Sequence, residues 1–208
     1  MPSTVSAILL AAAKSRHMGR SKPLLPLGNR PLVRHCLDAL LDGGVEDILL
    51  VVGTCGDAVA ETALGLPVTV VRNPDPEGEL AGSLRCALRA LPADRRGVIV
   101  AMVDNPLVSA GTIARLLKQQ TLHPHKVLVP TCRGRRGHPI LFPRLLLEGI
   151  APPSTLREIV DIYSARVLRV PVDDPGSLLG LDTPAEYRRA VRLLRDAPAT
   201  MPHRPGLS

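Results

Sequence analysis

Apolar runs of strand length alternate along this chain with longer stretches whose apolar residues recur at helical spacing, the pattern of stacked β-α units. Residues 5–10 (VSAILL) form the first predicted strand, which ends at a polar, basic segment. Residues 31–42 read as a helix, with Leu32, Leu37, Leu40 and Leu41 near one face and Gly43-Gly44 as its stop. A strand at 47–52 (DILLVV), a short helix at 57–64, a short strand at 68–72 and a helix at 83–91 follow. The run GVIVAMV (97–103) is a strand that leads directly into Asp104. Ser109 caps a helix reaching about Gln120, and strands are predicted at 126–130 and 139–142. A helix at 154–162 starts with Ser154 in an imperfect capping box, and a last strand spans 165–170. The final helix, 183–194, has Pro184 in its first turn. From residue 196 the composition turns to Pro, Ala, His and Gly, which predicts one domain over 1–195 and a disordered tail over 196–208.

Strands that are apolar at nearly every position, such as 47–52 and 97–103, are expected where helices cover both faces of a sheet. The fold class is therefore α/β, a three-layer sandwich with a mostly parallel central sheet. In such a sheet, ligands bind at the carboxyl ends of the strands. Four polar segments converge there: the one after the first strand, the turn at 78–83, Asp104, and Gly137-His138-Pro139.

Composition narrows the ligand. The chain of 208 residues is 45% hydrophobic but only 1% aromatic (Phe142, Tyr163, Tyr187), so its core is Leu, Val, Ile and Ala. Scarce aromatics argue against stacking on single-stranded nucleic acid, and no nucleic-acid partner is expected. The net charge of +7 suits an anionic ligand without choosing among a nucleotide, a nucleic acid and a merely arginine-rich surface. Cys36, Cys55, Cys86 and Cys132 are far apart and form no C-x-x-C pair, so they are read as reduced and mostly buried. No leader is visible and no apolar run approaches the roughly 20 residues of a membrane span, so a soluble, cytoplasmic protein without a membrane partner is expected.

The basic segment is the densest signal. Residues 14–22 carry Lys14, Arg16, His17, Arg20 and Lys22 with Gly19 among them and no acid, just after the small residues Ala11, Ala12 and Ala13. Small residues let backbone N–H groups approach a ligand, and concentrated positive charge is what a triphosphate needs. The spacing is neither G-x-x-x-x-G-K-[ST] nor G-x-G-x-x-G, and a solvated arginine-rich loop is the alternative.

Residues 10–22, LAAAKSRHMGRSK, resemble the L-A-A-G-x-S-x-R-M-G-x-x-K signature of nucleotidyltransferases with a Rossmann-like fold. PLLPLGNRPLV (23–33), GELAGSLRCAL (78–88), MVDNPLVS (102–109), RGRRGHPILF (133–142) and VPVDDPGSLLGLDTPAEY (170–187) follow in fitting order. From about residue 7 to residue 194 the chain thus resembles the MobA-like NTP transferases. Within them, the Ala-Ala start and the Gly-His-Pro turn are most similar to the molybdenum cofactor cytidylyltransferases. The resemblance implies a Rossmann-like nucleotidyltransferase fold, an NTP donor with CTP favoured, a phosphorylated acceptor of the molybdopterin kind, Mg²⁺, and delivery to a molybdenum hydroxylase. The family's Gly is Ala13 here and its Arg is His17; a neutral imidazole is a weaker phosphate ligand than a guanidinium. Those departures keep open a weakly active nucleotide-binding partner in molybdoenzyme assembly, and the short acceptor region at 140–171, which names no ligand, keeps open another phosphorylated acceptor such as a sugar phosphate.

Roles follow residue by residue. Lys22, Arg16 and Asp104 are the expected catalytic set, with the cations on the triphosphate and Asp104 on Mg²⁺, which takes one or two carboxylates plus phosphate oxygens. For Asp104 the alternative is a turn residue before Asn105-Pro106. The resemblance implies Asp182 as the second metal carboxylate; its alternative is the start of the last helix. Leu10, Ala11, Ala12, Ala13, Ser15, His17, Gly19 and Lys22 would line the nucleotide, backbone groups near residues 10–13 together with Arg72 or Asn73 would select the base, and Ser83 would either only cap the following helix or cap one whose N–H groups face the anion. Gly137, His138 and Pro139 would contact the acceptor or form only a tight turn. Arg133, Arg135 and Arg136 read as a solvated face unless a phosphorylated acceptor approaches that side. His35, His123 and His125 read as structural or surface residues.

Overall fold

The computed structural model describes residues 4–12, 21–54, 56–75, 80–148 and 155–196. Its first apolar run becomes β1 (Val5–Leu10), buried at every position because it runs mid-sheet with a parallel neighbour on each side. The residues after it form a two-strand hairpin, β2 (Pro26–Leu27) and β3 (Arg30–Pro31), which turns through Gly28 at φ 64°. This hairpin leads into α1 (Leu32–Asp42). Next come β4 (Ile48–Val52), α2 (Asp57–Glu61), β5 (Val68–Arg72), α3 (Leu80–Ala90) and β6 (Gly97–Met102). The second half holds α4 (Ala110–Leu122), β7 (Val127–Cys132), β8 (Arg135–Arg136), β9 (Ile140–Pro143), α5 (Leu156–Ile162), β10 (Val167–Pro171) and α6 (Pro184–Asp196).

The main sheet runs β10-β7-β9-β6-β1-β4-β5, with β8 paired to β7. All of its strands are parallel except β9, which is antiparallel to both β6 and β7, and β8. The two sheet faces carry separate cores. Val5, Ala7 and Leu9 of β1 pack with α1, α2, α4 and α6, while Ile8 and Leu10 pack with α3 and α5. The expected α/β three-layer sandwich with a mostly parallel sheet is present, and the period-2 alternation of β1 divides its side chains between the layers.

Local chemistry explains several departures from expectation. The Gly43 stop is also a contact point: a Cβ there would lie 2.4 Å from Ile113 Cβ, so only glycine lets α4 close on α1. α3 begins at Leu80, earlier than predicted, so Ser83 is not its cap but a buried residue inside the helix. α5 is capped by Thr155, one residue later than expected, and its box with Glu158 is complete. At the start of α6, Thr183 Oγ1 accepts from Glu186 N–H while Glu186 accepts from the Thr183 N–H, another capping box.

Asp174 fastens the last loop to the sheet. Buried, it accepts hydrogen bonds from the Ser109 N–H (2.9 Å), Ser109 Oγ (3.0 Å), Thr112 Oγ1 (2.7 Å) and the Gly176 N–H (3.0 Å). Gly176 is required there, because a Cβ would lie 1.9 Å from the Leu107 carbonyl oxygen.

Candidate active site

Asp104 leaves the carboxyl end of β6 with its backbone already committed: its carbonyl accepts from the Leu181 N–H at 2.8 Å. Buried Asn105 donates through Nδ2 to the Leu179 carbonyl at 3.0 Å. These two bonds draw the 179–182 segment against the strand end, which brings Asp182 to the same place. Between the two carboxylates lies Lys22, at the start of a short 3-10 turn that Pro23 opens. Its Nζ donates to Asp182 Oδ1 at 2.8 Å and lies 3.8 Å from Asp104 Oδ2.

Burial pushes the Asp104 carboxyl above the usual carboxylate range, and neighbouring Asp182 adds to the rise against the pull of Lys22. Asp104 Oδ1 is buried with no hydrogen-bond partner. A buried carboxylate oxygen left unpaired is costly, and it is the kind of atom that a cation satisfies. Beneath it, burial and the Asp104 charge push the Cys36 thiol up, so this cysteine stays protonated and packs as a small apolar residue. The described cysteines, Cys36, Cys86 and Cys132, are free.

A cleft of about 130 Å³ opens beside this cluster, lined by Leu10, Ala12, Lys22, Ser83 and Asp104 among others. Ala11, one residue from Ala12, turns instead into the opposite core. Asn73 is buried and donates to Ser83 Oγ at 3.0 Å, while its own Oδ1 accepts from the Asp75 N–H at 3.0 Å. These bonds hold the end of β5 against α3. Arg72 is half-exposed and pairs with Asp57 on α2. The residues Ala13, Ser15, Arg16, His17 and Gly19 lie outside the described residues.

The Gly137-His138-Pro139 turn is built into the sheet. The Gly137 N–H donates to the Pro130 carbonyl and the His138 N–H to the Ser177 carbonyl, each at 2.8 Å, and the His138–Pro139 peptide is cis. A Cβ on Gly137 would meet Ser177 Oγ at 2.7 Å. His138 and Met102 line one small apolar cavity, so this turn abuts the end of β6. Burial lowers the His138 pKa and keeps the ring neutral near pH 7, with Nδ1 unpartnered.

The structure thus brings together Leu10, Ala12, Lys22, Ser83, Asp104 and Asp182, with His138 nearby, while Arg72 and Asn73 make contacts of their own. Sequence reading missed Asn105, Asp174 and Ser177, whose work is to hold loops. The Asn105 bond to Leu179 and the Asp174 bonds to Ser109 and Thr112 join segments far apart in sequence, whereas Ser177 Oγ donates locally to the Asp174 carbonyl.

The family model for the MobA-like NTP transferase domain matches residues 7–169. The chain belongs to the MobA-like NTP transferase family. It is 31% identical to the molybdenum cofactor guanylyltransferase of Cereibacter sphaeroides, over 90% of this chain and 96% of that one. It is also 31% identical to the nicotine blue oxidoreductase of Paenarthrobacter nicotinovorans, over 71% of this chain and 74% of that one. Similarity to the bifunctional protein GlmU of Halorhodospira halophila is 37% identity over 64% of this chain, which spans only 28% of that protein's length. Among solved structures, Rv0371c of Mycobacterium tuberculosis in complex with manganese superposes with a TM-score of 0.71 at 26% identity, covering 90% of this chain and 97% of that one. No helix among the described residues is long and apolar enough to cross a membrane.

Proposed function

We propose that this protein transfers a nucleotidyl group from an NTP, with CTP as the favoured donor, to the terminal phosphate of a small acceptor of the molybdopterin kind. The observation that carries the reading is the Lys22, Asp104 and Asp182 cluster at the carboxyl end of β6, with a buried Asp104 oxygen left unpaired beside a cleft. An oxygen of the acceptor phosphate attacks the α-phosphorus, the bond from that phosphorus to the bridging oxygen of the β-phosphate breaks, and pyrophosphate leaves. A phosphate monoester is already a nucleophile, so the protein's task is positioning and charge stabilisation.

The residues fit a divalent cation: Asp104 and Asp182 both reach Lys22 Nζ, one Asp104 oxygen is buried and unpaired, and Mg²⁺ takes one or two carboxylates with phosphate oxygens and water. Asp104 and Asp182 would hold it, and when bound it supplies charge stabilisation to the phosphates. Lys22 exchanges its Asp182 partner for the triphosphate, joined by Arg16 and the backbone of residues 12–19. Leu10, Ala12 and Ser83 border the nucleotide, and Arg72 and Asn73 lie toward its base. Gly137, His138 and Pro139 face the acceptor, where a neutral His138 ring adds no charge to repel an approaching cation and offers one donor to an anion.

CTP is favoured on the Ala-Ala start and the Gly-His-Pro turn; the guanylyltransferase relative makes GTP the rival donor. The product would pass to a molybdenum hydroxylase in the cytoplasm. The test incubates the protein with a divalent cation, a molybdopterin source and each of the four α-³²P-labelled NTPs in turn. A labelled dinucleotide from CTP is expected. GTP as the preferred donor would remove the cytidylyl assignment, and no product from any donor would overturn transfer to an acceptor of the molybdopterin kind.

A further inference from the structure

A second cavity, of about 580 Å³, opens at Gly137-His138 and shares no lining residue with the cleft at Lys22. Three guanidinium groups line it: Arg135 and Arg136 on β8, and Arg157 on α5. Val129, Ile140 and Val160 supply the apolar part of its lining, beside the ring of His138.

Two local features gather this charge. The β7–β8 hairpin reverses through Arg133 (φ 51°) and Gly134 (φ 76°), which sets Arg135 opposite Cys132 and Arg136 opposite Thr131. On α5, Arg157, Val160 and Asp161 fall on one helical face, three and four residues apart. Asp161 accepts from the Arg136 guanidinium at 2.7 Å, which clamps the hairpin to the helix. That pair uses the one acid in the cavity lining. Arg135 and Arg157 have no acidic partner among the described residues, so the concavity is left with two uncompensated positive charges. Guanidinium groups that share an apolar-walled concavity favour a bidentate anion between them more than arginines scattered over a convex surface do.

We propose that this cavity is an anion subsite for the acceptor, which carries a second anionic group besides the phosphate that reacts near Asp104. Arg135 and Arg157 bind that group, and the apolar wall meets the body of the molecule. The inference rests on the reading that the acceptor enters past Gly137 and His138. It narrows the acceptor class to molecules with two separated anionic groups, and makes Arg135 and Arg157 specificity determinants. Phosphate and carboxylate share the chemistry that would be bound.

The test is a titration of the full-length, ¹⁵N-arginine-labelled protein at physiological salt, first with inorganic phosphate and separately with acetate, reading side-chain Nε–Hε resonances by NMR. Single variants Arg135→Gln and Arg157→Gln assign the two signals, and the exposed Arg188 and Arg189 of α6 serve as controls. Saturable shifts of both cavity signals are expected, with affinity falling about tenfold in either variant. A response to phosphate alone assigns a second phosphate, and an equal response to acetate assigns a carboxylate. Shifts no larger than those of the α6 controls, or affinity unchanged at the remaining cavity signal in each single variant, would overturn the subsite. No turnover enters this readout, so it stands or fails apart from the transferase assay.

Discussion

Replacing Asp104 with asparagine removes one charge and keeps the shape of the side chain, and the structure sets what that costs in each state. In the free protein the change forfeits an attraction to Lys22 across 3.8 Å, about 4 kcal/mol at an effective dielectric near 20. Against it stands the cost of keeping a carboxylate out of water, and the direction of the Asp104 pKa decides between them. The carboxyl is raised, so burial outweighs Lys22. Lys22 is not stranded by the substitution, because it retains Asp182 at 2.8 Å. An acid whose folded-state pKa is raised contributes its stability below its unfolded pKa of about 3.9 and loses it as pH rises through the folded value. Asp104→Asn is therefore neutral or stabilising at pH 7, with each kcal/mol gained worth about 2–4 °C in Tm, and the gap over wild type closes toward pH 4. Turnover should move the other way, falling 10²–10³-fold, or about 3–4 kcal/mol, for a lost charge contact to the transition state. The assay pairs initial rates of pyrophosphate release in saturating divalent cation with thermal melts at pH 7 and near pH 4. Turnover within about threefold of wild type, or a pH 7 melt lowered by more than about 5 °C, would refute the reasoning.

Other substitutions test the supports of the site. Lys22→Met should lower turnover at least about 100-fold and leave Asp104 and Asp182 facing each other without a cation; its Tm deficit should be larger at pH 8 than at pH 5, where Asp104 takes up a proton more readily. Gly137→Ala forces a Cβ to 2.7 Å from Ser177 Oγ and should cost about 1–3 kcal/mol by denaturant melts, with the larger kinetic effect on acceptor KM than on nucleotide KM. Asp174→Asn places an amide donor among four donors, which should cost about 1–3 kcal/mol, while activity measured well below the melting transition stays near wild type.

The sequence by itself determined the layers and pointed to the candidate site. Short, β-branched apolar runs such as GVIVAMV read as strands covered on both faces, and the helical spacing between them supplies the covers. Asp104 was legible as a candidate because a polar residue at the carboxyl end of such a strand stands where a sandwich of this kind opens. The motif order named the family, which the family model over residues 7–169 bears out. Tertiary structure decided the rest. That β9 runs antiparallel between β6 and β7 follows from pairing partners that no local pattern encodes, since a strand's alternation is the same in either direction. Asp182 read equally well as the start of a helix; Thr183 takes the capping contact, which leaves the Asp182 carboxylate for Lys22, 160 residues away. Ser83 looked like a cap until α3 was seen to begin at Leu80, which turns its hydroxyl inward to Asn73. The two unpaired arginines in the second cavity are likewise a matter of which neighbour Asp161 meets. Periodicity is a property of neighbours along the chain and survives in the sequence, whereas charge pairing and burial of a single polar atom depend on distances between remote segments, which only the folded chain sets.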